Sequence, residues 1–342
     1  MRTFRMLIAV SALLLGAALA YAQDAQTLFK QGLQQFNDKQ YEQSIATFKR
    51  VIAINPNESA AYYNIGVANG YLERYDDAIV ALKEAIRLKP SDTDAYIQLG
   101  NSYDYTDRYN EAIASYMKAT EIDPSNASAY FEIGVAHARL KNHKAAIDAF
   151  EKSISLDPKR AETYYRVAMQ YKEVNRNADA IKALREAVRL QPDHKKAYNE
   201  LGNRLNDERS FPDAIKAFNE AVRLDPTWAD PYLGLGNSYY NDNRFTDSVA
   251  PYKKAAELSP SWLSARLYLG DAYLKTNQNQ LALDTFRAAV GIDAKSPEAN
   301  YGMGLAYVAM NNRAMAKVQY DKLVTLDKGI ADKLLAKIPP QP

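Results

Sequence analysis

Apolar and small residues recur along this chain at three- and four-residue spacings, in runs that polar turns interrupt. Residues 127–160 show the pattern. Tyr130, Ile133, Gly134 and His137 fall on one helix face. Ala146, Ile147, Phe150, Ser153 and Ile154 fall on another. Lys141-Asn142-His143 separates the runs, and Asp157-Pro158 follows the second. The spacing predicts two helices of about 12–14 residues with a tight turn inside and a proline stop outside. Proline lacks an amide hydrogen and cannot continue a helix. The small residues Gly134 and Ala146 are expected to let the two helices approach closely, with Phe150 and Tyr130 filling the space between layers.

This block repeats. Pro56, Pro90, Pro124, Pro158, Pro192, Pro226 and Pro260 stand 34 residues apart. Gly32, Gly66, Gly100, Gly134, Gly202, Gly236, Gly270 and Gly304 keep the same period, with Ala168 in the gap. Tyr62, Tyr96, Tyr130, Tyr164, Tyr198 and Tyr232 form a third series. Three residue types in one register define an internal repeat rather than a bias of composition.

An aromatic residue, Leu-Gly, Tyr, Ala, an aromatic residue, Ala and Pro at fixed offsets resemble the tetratricopeptide repeat signature. The resemblance covers residues 25–330 as nine repeats: 25–58, 59–92, 93–126, 127–160, 161–194, 195–228, 229–262, 263–296 and 297–330. It implies an all-α, right-handed superhelical solenoid, expected to run as one continuous body. The first repeat departs at Leu28 and Gln31, and the last two at Arg266, Asn300, Ala294 and Lys328. Residues 331–342 are expected to form a capping helix, with Leu334, Leu335 and Ile338 covering the last repeat, and a proline-rich tail.

The start of the chain reads differently. Arg2 and Arg5 precede an apolar stretch from Met6 to Ala20, and Ala20-Tyr21-Ala22 offers a small-x-small cleavage pattern. Residues 1–22 therefore read as a secretory signal peptide, with an uncleaved anchor as the alternative. The expected location is exported, periplasmic or secreted.

Charge and composition narrow the chemistry. The 342 residues carry 43 Lys and Arg against 41 Asp and Glu, and both surplus charges lie in the leader. A neutral repeat region is unsuited to tracking nucleic-acid phosphates. The absence of cysteine removes disulfides, thiolate metal sites and Cys nucleophiles. His137 and His143 replace aromatic residues of the register, and His194 lies between repeats. No cofactor, metal or catalytic site is expected, so the chain reads as non-enzymatic. Pro251 interrupts a second-helix pattern, and Trp228 and Trp262 flank the same repeat. An interior proline costs about 3 kcal/mol or kinks the helix.

In tetratricopeptide proteins the first helix of each repeat lines a concave groove that holds peptides or protein segments. Carrying over those offsets, the resemblance implies a candidate partner groove of Phe29, Tyr63, Tyr105, Phe131, Tyr165, Arg166, Lys172, Lys196, Asn199, Asn203, Asn206, Asn237, Tyr240 and Asn241. Phe36 and Tyr71 belong to its aromatic first half; Leu267, Tyr268, Tyr301, Leu305 and Val308 form its late stretch. The amide-rich middle suits an extended backbone, since each Asn both donates and accepts. Two groove codes of the family do not fit. Lys30 and Asn64 begin a carboxylate clamp that Gln98 and Glu132 do not continue, and only Asn64 fits an asparagine ladder. The expected function is an exported protein-interaction scaffold in envelope assembly or secretion, with a homo-oligomer possible. A glycan-binding envelope protein, stacking Tyr and Trp on sugar rings, is the alternative.

Overall fold

The computed structural model describes residues 24–340; the leader reading lies outside them. Nineteen helices account for about four-fifths of these residues. Helix α1 runs over 24–37 and α2 is Tyr41–Ile54. The pairs continue as α3 Ser59–Tyr71 and α4 Tyr75–Leu88, α5 Thr93–Asp104 and α6 Tyr109–Ile122, then α7 Ala127–Arg139 and α8 His143–Leu156. Next come α9 Ala161–Glu173 and α10 Asn177–Leu190, α11 Lys195–Asp207 and α12 Phe211–Leu224, then α13 Ala229–Asn241 and α14 Phe245–Leu258. The last are α15 Leu263–Lys275 and α16 Asn279–Ile292, α17 Pro297–Ala309 and α18 Arg313–Leu326, and the single helix α19 Lys328–Leu335. The fold is an all-α helical-repeat solenoid whose described residues form two compact units, one ending at Val174 and the other starting at Asn175.

Within each unit a helix packs on the one before and the one after it. In six of the nine repeats the reason lies in one buried ring. Phe48, Tyr116, Phe150, Phe218, Tyr252 and Phe286 are fully buried residues of second helices, each lying against the first-helix glycine 16 positions earlier. A Cβ at Gly134 would stand 2.6 Å from two ring carbons of Phe150. The glycine therefore admits an aromatic ring, rather than bringing two backbones together as the sequence suggested.

Both kinds of turn follow from local chemistry. Between helices of one repeat, Lys39, Glu73, Asp107, Lys141, Asn175, Arg209, Asn243, Asn277 and Asn311 take positive φ near 60°. None is glycine, although left-handed backbone costs other residues roughly 1–2 kcal/mol. Between repeats, Asp123, Asp157, Asp225 and Asp293 each accept a bond from the backbone N–H two residues on, at 2.9–3.1 Å. This local turn, together with the proline where the register supplies one, ends the second helix.

At the C-terminus the helix starts at Lys328, earlier than residue 331, because the Asp327 carboxylate accepts the Ile330 N–H at 2.9 Å. Ala331 and Leu334 are buried, and Ile338 packs beside them, whereas Leu335 is exposed rather than covering the last repeat. Helix α14 runs unbroken through the buried Pro251. Trp262 packs against Ala255, Ala256 and Ala265, and the Trp228 indole donates to Asp230 at 2.8 Å. Among the described residues, no helix is long and apolar enough to cross a membrane.

Candidate functional site

The residue after the register glycine is the most informative position on the first helices. It is Asn101, Asn203, Asn237 and Asp271 in repeats three, six, seven and eight. In repeats three and seven the buried second-helix ring is a tyrosine. The Tyr116 hydroxyl donates to Asn101 Oδ1 and the Tyr252 hydroxyl to Asn237 Oδ1, both at 2.8 Å. In repeats six and eight the ring is Phe218 or Phe286, which has no hydroxyl to give. Asn203 and Asp271 receive no such bond.

The second unit carries two adjoining clefts at these positions. One, of about 280 Å³, is lined by Asn237, Tyr240, Asn241, Tyr252, Tyr268 and Asp271. The other, of about 300 Å³, shares Tyr268 and Asp271 and adds Leu267, Phe286, Tyr301 and Lys333 among others. Glycine makes the room. At the register position of Tyr268 the neighbouring repeats carry Gly234 and Gly302, whose backbones lie against the Phe218 and Phe286 rings. Tyr268 is left 41% exposed between the clefts, its ring centroid 5.8 Å from that of Tyr252.

Burial pushes the Asp271 carboxyl up to about 6, against the opposing pull of Lys275. Burial likewise raises the Tyr240 and Tyr252 phenols, and the nearby Asp271 charge adds to both shifts. The consequence for stability has a definite sign. Below about pH 4 the carboxyl is protonated in both folded and unfolded chains, and the group contributes nothing. As pH rises from 4 to 6 the unfolded chain ionises first, so stability falls; above 6 the loss is constant. Asp271→Asn is therefore expected to stabilise the protein relative to wild type by an amount that grows between pH 4 and 6 and then levels. Urea midpoints of the two proteins across that range check this; a difference independent of pH would contradict it.

Of the groove residues expected from sequence, Asn237, Tyr240 and Asn241 meet in the first cleft. Others are committed elsewhere. Asn206 accepts from the Ser238 hydroxyl at 2.8 Å and donates to the Gly234 carbonyl at 3.4 Å, joining adjacent repeats. Asn199 is half-buried, with an Oδ1 that has no hydrogen-bond partner among the described residues. Lys196 lies near Trp228 and the Lys195–Asp225 ion pair.

In the first unit, Phe131 is only 7% exposed, and the Arg160 guanidinium covers its ring at 3.7 Å. It is not available to a partner as the sequence suggested. Phe29 packs edge-on to Phe48, and Tyr105 stacks on Tyr75 at 4.9 Å. Tyr71 stacks likewise on Tyr41, so both exposed tyrosines join successive repeats along an edge. Tyr63 and Tyr165 are half-buried, Arg166 pairs with Glu162 at 2.5 Å, and Lys172 is half-buried. Two of the histidines also have structural contacts. His143 Nδ1 lies 3.0 Å from Gln170 Oε1, and His194 accepts the Ala197 N–H and caps α11.

Asp271 escaped the sequence reading because that reading looked for amides. The signal was the register itself, in which the residue after Gly270 occupies the place of Asn203 and Asn237.

A family model described as the cilia and flagella-associated protein 70 C-terminal domain, of tetratricopeptide type, matches residues 11–258. Two models described as tetratricopeptide repeat match residues 233–297 and 297–329. The chain belongs to the tetratricopeptide repeat family. No curated protein matches it significantly. Among solved structures, it is similar to YrrB, titled a TPR protein with an unusual peptide-binding site. That match has 25% identity and a TM-score of 0.51 over 54% of this chain and 95% of YrrB. It also resembles the C-terminal part of a tetratricopeptide protein from Cytophaga hutchinsonii, at 17% identity and a TM-score of 0.60 over 71% of this chain and 100% of the other. A tetratricopeptide protein from Parabacteroides merdae matches at 14% identity and a TM-score of 0.51, covering 72% and 98%. Tetratricopeptide architecture is that of a protein-interaction scaffold.

Proposed function

We propose that this protein is a non-catalytic, exported scaffold that holds an extended segment of a partner protein in the groove of its second unit. The observation that carries this is the paired cleft around Tyr268, where aromatic walls stand beside Asp271, whose carboxylate no internal hydroxyl uses. An extended chain has unpaired backbone donors and acceptors at every residue, and side chains on alternate faces for such clefts. The peptide-binding site named for YrrB supports the same reading. The leader-like residues 1–22 support export, with envelope assembly or secretion as the setting.

In-cell photo-crosslinking tests the proposal. A photo-reactive amino acid replaces Asn203 or Tyr268, and as a control the exposed Lys216. One dominant protein adduct from both groove positions, absent from the control, is the expected result. Self-adducts alone, or no protein adduct from either groove position, would overturn it.

A further inference from the structure

The first cleft brings together a carboxylate and three aromatic rings, and none of the donors that line it bonds the carboxylate. Asp271 accepts no hydrogen bond from any described residue, although it stands where Asn101 and Asn237 each accept a tyrosine hydroxyl. The register explains the difference, since Phe286 replaces the tyrosine that would serve it. A half-buried carboxylate left in this state is unfavourable, and a charged donor is the partner that best offsets its desolvation.

The chain displays such a solution elsewhere. In the first unit Glu132 is also buried enough to raise its carboxyl. There Arg160 supplies the opposing charge, and its guanidinium sits over the Phe131 ring beside it. The place of Arg160 in the register is taken by His194, Trp228, Trp262, Ser296 and Ile330 in the later repeats. Lys275, on the same helix as Asp271, acts on its charge, and Lys333 of α19 lines the far cleft with Glu298. Neither forms an ion pair with Asp271.

We propose that the cleft of Tyr240, Tyr252, Tyr268 and Asp271 receives a basic side chain, lysine or arginine, of the bound segment. This rests on the segment-holding reading above and names its anchor. The cation meets the carboxylate, and its alkyl stem lies along the tyrosine walls, where aromatic rings favour cations. Leucine-sized side chains suit the adjoining cleft, whose lining includes Leu267, Phe286 and Tyr301.

Fluorescent nonapeptides test this against the full chain. They consist of Gly, Ser and one Leu, and differ only at the central residue: Lys, Arg, Gln or Glu. Lys and Arg peptides should bind at least about tenfold more tightly than the Gln peptide, and Glu least. Asp271→Asn should reduce that preference to less than about twofold. Phe286→Tyr should weaken it severalfold without changing any charge, because the added hydroxyl can donate to Asp271 as in repeats three and seven. Circular dichroism verifies that both variants fold. A wild-type protein without the preference, or an Asp271→Asn variant that keeps it, overturns the proposal.

A second probe separates this failure from that of the parent reading. n-Butylammonium and n-propylguanidinium are titrated while the tyrosine ring resonances are followed by NMR. If no peptide binds, yet these ions shift the rings in wild type and not in Asp271→Asn, the cation site stands and the segment-holding reading falls. If peptides bind irrespective of their central residue, the reverse holds. If neither peptides nor ions bind, both fall.

Discussion

Gly134→Leu is expected to destabilise the first unit by about 1–3 kcal/mol, the usual cost of forcing atoms into a filled core. The contact leaves little room for a milder outcome. A Cβ alone at Gly134 would meet Phe150 Cδ1 and Cε1 at 2.6 Å, and Phe150 is fully buried with no space to withdraw. Phe131 also contacts that ring, at 5.6 Å between centroids, so displacing the ring strains a second contact. Gly70 is the control. It is also helical, in α3, but an added Cβ meets nothing within 4 Å. Gly70→Ala should instead stabilise by up to about 1 kcal/mol, by removing the conformational freedom of glycine from the unfolded chain. Urea unfolding of the two variants checks the pair. Shifts in the same direction would show that the register glycines are not there to admit rings.

Much of this was legible from residue spacing. Proline, glycine and tyrosine at a 34-residue period located the paired helices, because each type answers a local demand that recurs in every repeat. The same logic found Asn237, Tyr240 and Asn241, which do share a cleft. It did not foresee the contacts of Phe131 and Asn206, because an offset says which way a side chain leaves its helix and not what already occupies that space. Arg160 covers Phe131 from the loop before α9, and Ser238 reaches Asn206 from the next repeat. Neither contact is part of the repeated pattern, so neither leaves a periodic trace. The left-handed turn residues were hidden for the opposite reason. Glycine usually marks such a turn, but here the chain uses Lys, Glu, Arg, Asp and Asn, and the demand shows only in the backbone. Asp271 combines both lessons. Its position follows from the register, but its character depends on the hydroxyl that Phe286 lacks.

Phe286→Ala is expected to have the largest effect of any single truncation at the second-unit clefts, about 3–5 kcal/mol. The spread of such costs depends on how far the surroundings can collapse into the space left behind. Here they cannot collapse far. Phe286 is 1% exposed and fills the gap between the backbones of Gly270, where a Cβ would stand 2.6 Å from the ring, and Gly302, where it would be closer still. Neither glycine has a side chain to swing into the void, and Tyr252, Leu283 and Met303 are already packed in the same cluster. Phe286→Leu retains part of the volume and should cost substantially less. Because each repeat of such a stack mainly stabilises its neighbours, the loss should be local. Hydrogen exchange is therefore the decisive measurement. Amides of α15 to α17 should lose protection together in Phe286→Ala, while those of α3 to α6 in the first unit keep theirs. Uniform loss throughout the chain would mean that the repeats unfold as one cooperative body, and that the cost of an altered groove is borne by the whole molecule.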